Sequence, residues 1–140
     1  MYHAAIVDTS VLHAYVARED KLHPLAVALL SRIEQPVLPS IVVHELVWSL
    51  RRRYGAERAS QLASHALLVL GAQVEPVTLE DVKFALQDAK RYQDLLVVSV
   101  ARRMNLPLAT FDAGMIRLAK RYNVALLPLR IRRKDIAIVD

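Results

Sequence analysis

Ala4-Ala5-Ile6-Val7-Asp8-Thr9-Ser10-Val11-Leu12 decides how the rest of the chain is read. The apolar run Ala4 to Val7 has the length of a buried strand, and the polar triplet Asp8-Thr9-Ser10 behind it is able to cap a helix. Val11, Leu12, Tyr15 and Val16 then recur at helical spacing, so a strand runs into a helix. Working outward, Pro24 to Ile33 predicts a second helix, Pro36 breaks it, and Val37-Leu38 is a short extended piece before Pro39. Ser40 is placed to cap a helix over Ile41 to Tyr54 that Gly55 ends, and Ala56 to Leu70 predicts another, closed by Gly71. Gln73 to Val77 reads as extended, and Thr78-Leu79-Glu80-Asp81 opens a helix running through Val82, Ala85, Leu86 and Ala89.

Beyond Arg91 the pattern changes. Leu95-Leu96-Val97-Val98-Ser99-Val100-Ala101 is apolar on every side, which predicts a buried central helix headed by Asp94. Leu106 to Thr110 reads as a strand, Asp112 caps a helix to Tyr122, and Val124 to Leu127 is a last short strand. Strands alternating with helices imply an α/β fold, with helices on both faces of a mostly parallel sheet. The 140 residues suit one domain, a core over 1–127 and a basic C-terminal tail over 128–140 whose alternation suggests an edge strand.

Composition narrows the chemistry. No unbroken apolar stretch has membrane-spanning length and no leader pattern opens the chain, so a soluble, cytoplasmic protein is expected. The absence of cysteine removes disulfides, thiolate metal sites and cysteine nucleophiles, leaving oxygen or imidazole for any metal. A formal charge of +5 favours polyanions as partners.

Four acids stand where chemistry is expected. In an open parallel sheet ligands bind beyond the carboxyl ends of the strands, and Asp8 and Asp112 each follow a predicted strand. Each also suits a plain helix cap. Glu45 has Ile41, Val42 and Trp48 one turn away, apolar company in which an unpaired carboxylate is costly, with a salt bridge to Arg52 or Arg53 as the ordinary alternative. Asp94 heads the most apolar helix, where first-turn dipole stabilisation is the ordinary role. Should the four converge, like charges ~4 Å apart repel by roughly 4 kcal/mol per pair at an effective dielectric of about 20. A divalent cation is the natural counter-charge, and carboxylate and water ligands favour Mg²⁺ or Mn²⁺ over zinc. Such a centre supports phosphodiester hydrolysis, and the basic exterior would hold a nucleic-acid backbone. His3, His13, His23, His44 and His65 show no metal-ligand spacing; His13, one turn beyond Thr9, is the one placed to approach a substrate. The basic pairs, Lys90-Arg91 among them, read as solvated faces.

In its motifs the chain resembles the PIN-domain ribonucleases, most closely their VapC toxin branch: Val7-Asp8-Thr9-Ser10-Val11-Leu12, Ser40-Ile41-Val42-Val43-His44-Glu45-Leu46, Asp94-Leu95-Leu96-Val97-Val98 and Pro107-Leu108-Ala109-Thr110-Phe111-Asp112. The resemblance implies a PIN-like α/β/α sandwich around a sheet of four or five strands. It further implies Mg²⁺-dependent endoribonuclease activity, with Mn²⁺ as a substitute, in the toxic member of a toxin-antitoxin pair. Carried over by position, Asp8 and Asp94 are the expected principal metal ligands, Glu45 and Asp112 complete the acidic pocket, and Thr9, Ser10 and Thr110 supply supporting hydroxyls. RNA substrate, a VapB-like antitoxin and homodimerisation are the expected partners. Leu95 and Asn105 depart from the family's usual small Ala and Gly. A catalytically silent PIN-like module that binds nucleic acid or protein is the alternative. A phosphatase with Asp8 as nucleophile would want a second Asp at position 10, where Ser10 stands.

Overall fold

The structure is a computed structural model that describes residues 1–132 and 135–139. Strand β1 (Tyr2–Val7) leads through Asp8 into α1 (Thr9–Val16) and α2 (His23–Leu30), followed by β2 (Ile33–Pro39), α3 (Ser40–Tyr54), α4 (Ala56–Leu70) and β3 (Gln73–Glu75). Then come α5 (Leu79–Ala85), a 3-10 turn over Ala89–Arg91, α6 (Tyr92–Met104), β4 (Leu108–Ala109) and α7 (Ala113–Arg121). A hairpin of β5 (Leu129–Arg132) and β6 (Asp135–Ile138) follows.

The first four strands form one parallel sheet in the order β3-β2-β1-β4. Ala5, Ile6 and Val7 are all fully buried, so β1 is covered on both faces, which is why its sequence is a continuous apolar run without alternation. The chain winds outward from β1 to β2 and β3, then crosses to the other side of β1 to lay down β4. The strand order therefore reverses between β1 and β4, and the crevice beyond their carboxyl ends is where ligands bind in open α/β sheets. Asp8 and Thr110 are the residues that leave those two strands, and the Asp8 amide donates to Ala109 O at 2.9 Å.

Helix α6 is the buried helix its composition implies, with Leu95, Leu96, Val97, Val98, Val100 and Ala101 inside the core. It ends at Asn105, which takes the left-handed conformation (φ 53°) that glycine favours and asparagine tolerates. The capping box at the head of α5 forms as read: Thr78 Oγ1 accepts the Asp81 amide, and the Asp81 carboxylate accepts the Thr78 amide.

Elsewhere the structure corrects the sequence. β2 takes in Ile33 and Pro36, assigned above to a helix end and a breaker, and pairing to β1 supplies what local propensity did not. β3 joins β2 only from Val37 onward, so Pro36 precedes that second ladder. Ser40 is not a cap: Pro39 occupies that position, and Ser40 Oγ instead accepts the Val77 amide at 3.2 Å. Helix α5 stops at Ala85, and Asp88 caps the separate 3-10 turn that delivers Arg91 to the head of α6. The expected strand over Val124 to Leu127 reduces to one bridge, Leu108 to Leu126, because β4 offers only two residues to pair with. The tail forms its own antiparallel hairpin in place of an edge strand. Arg133, Lys134 and Asp140 of the basic tail lie outside the described residues. Among the described residues no helix is long and apolar enough to cross a membrane.

Candidate active site

Asp8 lies at the mouth of the β1/β4 crevice and is 6% exposed. Although it precedes α1, its side chain makes no capping bond, so the ordinary role open to it in the sequence is not the one it plays. Its Oδ2 accepts two hydroxyls, Thr110 Oγ1 at 2.8 Å and Ser10 Oγ at 3.1 Å. Each hydroxyl has one proton to give and both are committed to Asp8, while Thr110 Oγ1 accepts the Asp112 amide and Ser10 Oγ accepts the Phe111 amide. The 3.3 Å approach of Ser10 to Thr110 therefore carries no proton of its own. Burial raises the Asp8 pKa above its ordinary value against the hydrogen bonds from Thr110, the Thr9 amide and Ser10, and the charge of Asp94 pushes the same way as burial.

Glu45 comes from the second turn of α3 and is half-buried. Thr9 Oγ1 donates to its Oε1 at 3.0 Å. The salt bridge to Arg52 or Arg53 does not form: Arg53 turns to Glu19 at 3.1 Å. Burial raises the Glu45 pKa despite the Thr9 hydroxyl, and Asp8 and Asp94 both add to the rise. Asp94 joins this field from the first turn of α6, where Arg91 Nη2 donates to its Oδ2 at 3.1 Å. Three acids separated widely in the chain thus act on one another electrostatically.

Asp112 differs from these three. It caps α7 through Oδ1, which accepts the Gly114 amide at 3.0 Å, and it is solvent-exposed. Its tie to the others is indirect, through its own amide on Thr110. Both ring nitrogens of His13 are engaged by α3: Nδ1 lies 2.9 Å from Ser49 Oγ and Nε2 3.3 Å from Arg53 Nη1. Burial and the Arg53 charge lower its pKa, so Nε2 accepts from Arg53 and Nδ1–H donates to Ser49. Arg91 is the residue the sequence reading passed over. The available signal was its position three residues before Asp94, the spacing of facing partners on a helix.

The donor set is all oxygen, which suits a hard divalent cation. Among the described residues no group of three or more acidic or imidazole side chains stands close enough to grip one ion. A cation that takes one or two carboxylates and keeps several waters does not require such a group. Asp8, Glu45 and Asp94, mutually repelling and partly desolvated, are the groups whose charge such an ion would relieve.

The family model for the PIN domain matches residues 5–121. Comparison with curated proteins finds no match. Among solved structures, the chain is similar to VapC20 of Mycobacterium tuberculosis, described as a sarcin-ricin loop cleaving toxin. The TM-score is 0.71 and the identity 24% over 81% of this chain and 94% of that one. It is also similar to FitAcB of Neisseria gonorrhoeae, with TM-score 0.66 and 20% identity over 87% of this chain and 95% of that one. A third is VapBC2 of Rickettsia felis bound to a DNA fragment from their promoter, with TM-score 0.65 and 17% identity over 88% and 96%. At these identities the likeness is one of fold.

Proposed function

The chain belongs to the PIN domain family, and from that premise we propose that it is a Mg²⁺-dependent endoribonuclease, the toxic member of a toxin-antitoxin pair. The observation that carries the proposal is the shared field of Asp8, Glu45 and Asp94, delivered by β1, α3 and α6 to the point where the strand order reverses. Residues 1–140 act as one PIN domain, with RNA as substrate, a VapB-like antitoxin as inhibitor and a second copy as dimer partner.

Asp8 is held in one orientation by Thr110 and Ser10 at Oδ2, so the carboxylate is presented without a search among rotamers. Glu45, steadied by Thr9 and with its pKa raised by burial, would accept a proton from the attacking water. Asp94 supplies the third negative charge, and Asp112 holds the α7 end of the pocket through its cap. Mg²⁺, or Mn²⁺ in its place, would be held by Asp8 and Asp94 and would supply charge neutralisation at the phosphodiester. The net charge of +5 attracts the RNA backbone.

The test is cleavage of RNA by the purified chain in Mg²⁺ or Mn²⁺, with Asp8→Asn and Asp94→Asn beside it. Both variants are expected to lose at least about 100-fold in rate, a scale fitting removal of a charge acting directly on the transition state, with unchanged circular dichroism. Cutting at the parent's rate by either variant would sink the assignment. The second reading, a silent module that binds nucleic acid, draws on the ion pair by which Arg91 occupies Asp94. It requires salt-dependent RNA binding with no cation-dependent turnover.

A further inference from the structure

Arg91 reaches the acidic site by a dedicated piece of backbone. Asp88 accepts the Lys90 amide to cap the 3-10 turn Ala89–Arg91, and the turn feeds directly into α6, setting the guanidinium on Asp94 Oδ2 at 3.1 Å. Granted the nuclease assignment above, we propose that Arg91 is a displaceable counter-charge, holding Asp94 while no cation is bound and competing with the divalent cation for that carboxylate. It thereby sets the cation concentration at which the site fills.

Two features make the pair suited to exchange. It is a single contact between side chains 35% and 31% exposed, whereas Arg103 grips Asp81 through both Nε and Nη2 with the Asp81 side chain 1% exposed. Water and salt weaken the first kind of pair far more than the second. The guanidinium also has somewhere to go. A cavity of about 330 Å³ opens over Ala89, Lys90, Arg91, Tyr92, Gln93 and Asp94. On the α7 side the tip lies against Gly114, where a Cβ would stand 2.8 Å from Arg91 Nη2, so in this pose the guanidinium rests on bare backbone. Displacement would carry the guanidinium into that cavity.

The experiment is calorimetric titration of the whole chain with MnCl₂, without RNA, for the parent, Arg91→Ala, Arg91→Lys and Asp8→Asn, each checked for a single cooperative urea transition. Arg91→Ala should bind Mn²⁺ about two- to fivefold more tightly, the range that an ion pair this exposed is worth. Arg91→Lys, which keeps the charge, should return most of the way to the parent. The gap between parent and Arg91→Ala should narrow as monovalent salt rises, a response that a merely structural role would not produce. Equal or weaker Mn²⁺ binding by Arg91→Ala overturns the inference. If it does so while Asp8→Asn still abolishes uptake, the metal site stands and only the role of Arg91 falls. If the parent takes up no Mn²⁺, both fall together.

Discussion

Asp8 and Asp81 are both buried aspartates near the head of a helix, 6% and 1% exposed, and the protein treats them in opposite ways. Around Asp81 everything that approaches is a donor to a charged carboxylate: Arg103 through Nε at 3.3 Å and Nη2 at 3.0 Å, Ser99 Oγ at 2.7 Å and the Thr78 amide at 2.9 Å. Burial alone would raise its pKa, but these bonds more than offset that, and the net shift is downward. Arg103 also reaches Glu75 and the Pro76 carbonyl, so β3, α5 and α6 are tied at one knot. Asp8 receives hydroxyls and one amide but no cation, and it faces the charge of Asp94; its shift is upward. Burial by itself does not distinguish a structural acid from one held ready for chemistry. A cationic partner, present at Asp81 and among the described residues missing at Asp8, does.

The contrast is sharpest in stability. Asp81→Asn should cost about 2–3 kcal/mol in urea denaturation, somewhat under the figure for breaking a fully buried pair because Arg103 keeps solvent and Glu75 as partners. Thr110→Val should cost about 1–2 kcal/mol, since it strips a hydroxyl from buried Asp8 and leaves the Asp112 amide without its acceptor. Asp8→Asn, measured with EDTA present, should show a small gain, because it removes a charge the cation-free fold disfavours. A loss from Asp8→Asn as large as that from Asp81→Asn would erase the distinction.

The same opposition gives a signature in pH. The Asp81 pKa is depressed, so its contribution is present above the ordinary value of 3.8 and is lost as the pH falls through the folded value. Asp8 and Glu45 are raised, so the cation-free protein gains stability as acidification protonates them, and the gain is complete below their ordinary values of 3.8 and 4.5. His13 opposes that gain, because its depressed pKa makes the unfolded chain bind a proton first as the pH drops through 6.5. The parent curve minus that of the Asp8→Asn, Glu45→Gln double variant removes the His13 contribution. The difference should rise from neutral pH toward about pH 4. A flat difference would mean that the two acids do not share a desolvated site.

Much of the site was legible because its signals are local. Asp8 closes an apolar run, Asp94 opens one, and Asp112 follows Thr110 at a strand end; each is visible within a few residues. The buried character of α6 and the Thr78 capping box were legible for the same reason. The extent of β2 was not, because Ile33 and Pro36 become strand only through pairing with β1. The Asp81 knot was not, because Ser99 and Arg103 lie 18 and 22 residues away and meet it only when α5 packs on α6. Arg91 was hidden by context, since a basic pair at a helix start usually faces water.

Alternating apolar segments, each ended by a capping or acidic residue, determined the parallel α/β architecture and nominated the acids, because burial of short apolar runs and capping of helix ends depend on immediate neighbours. Only the tertiary structure decided the company that Asp8, Glu45 and Asp94 keep: hydroxyls for Asp8 and Glu45 and a loosely held guanidinium for Asp94. Charge interactions are set by distance in space and by the water excluded between groups, and neither is written in the order of the residues.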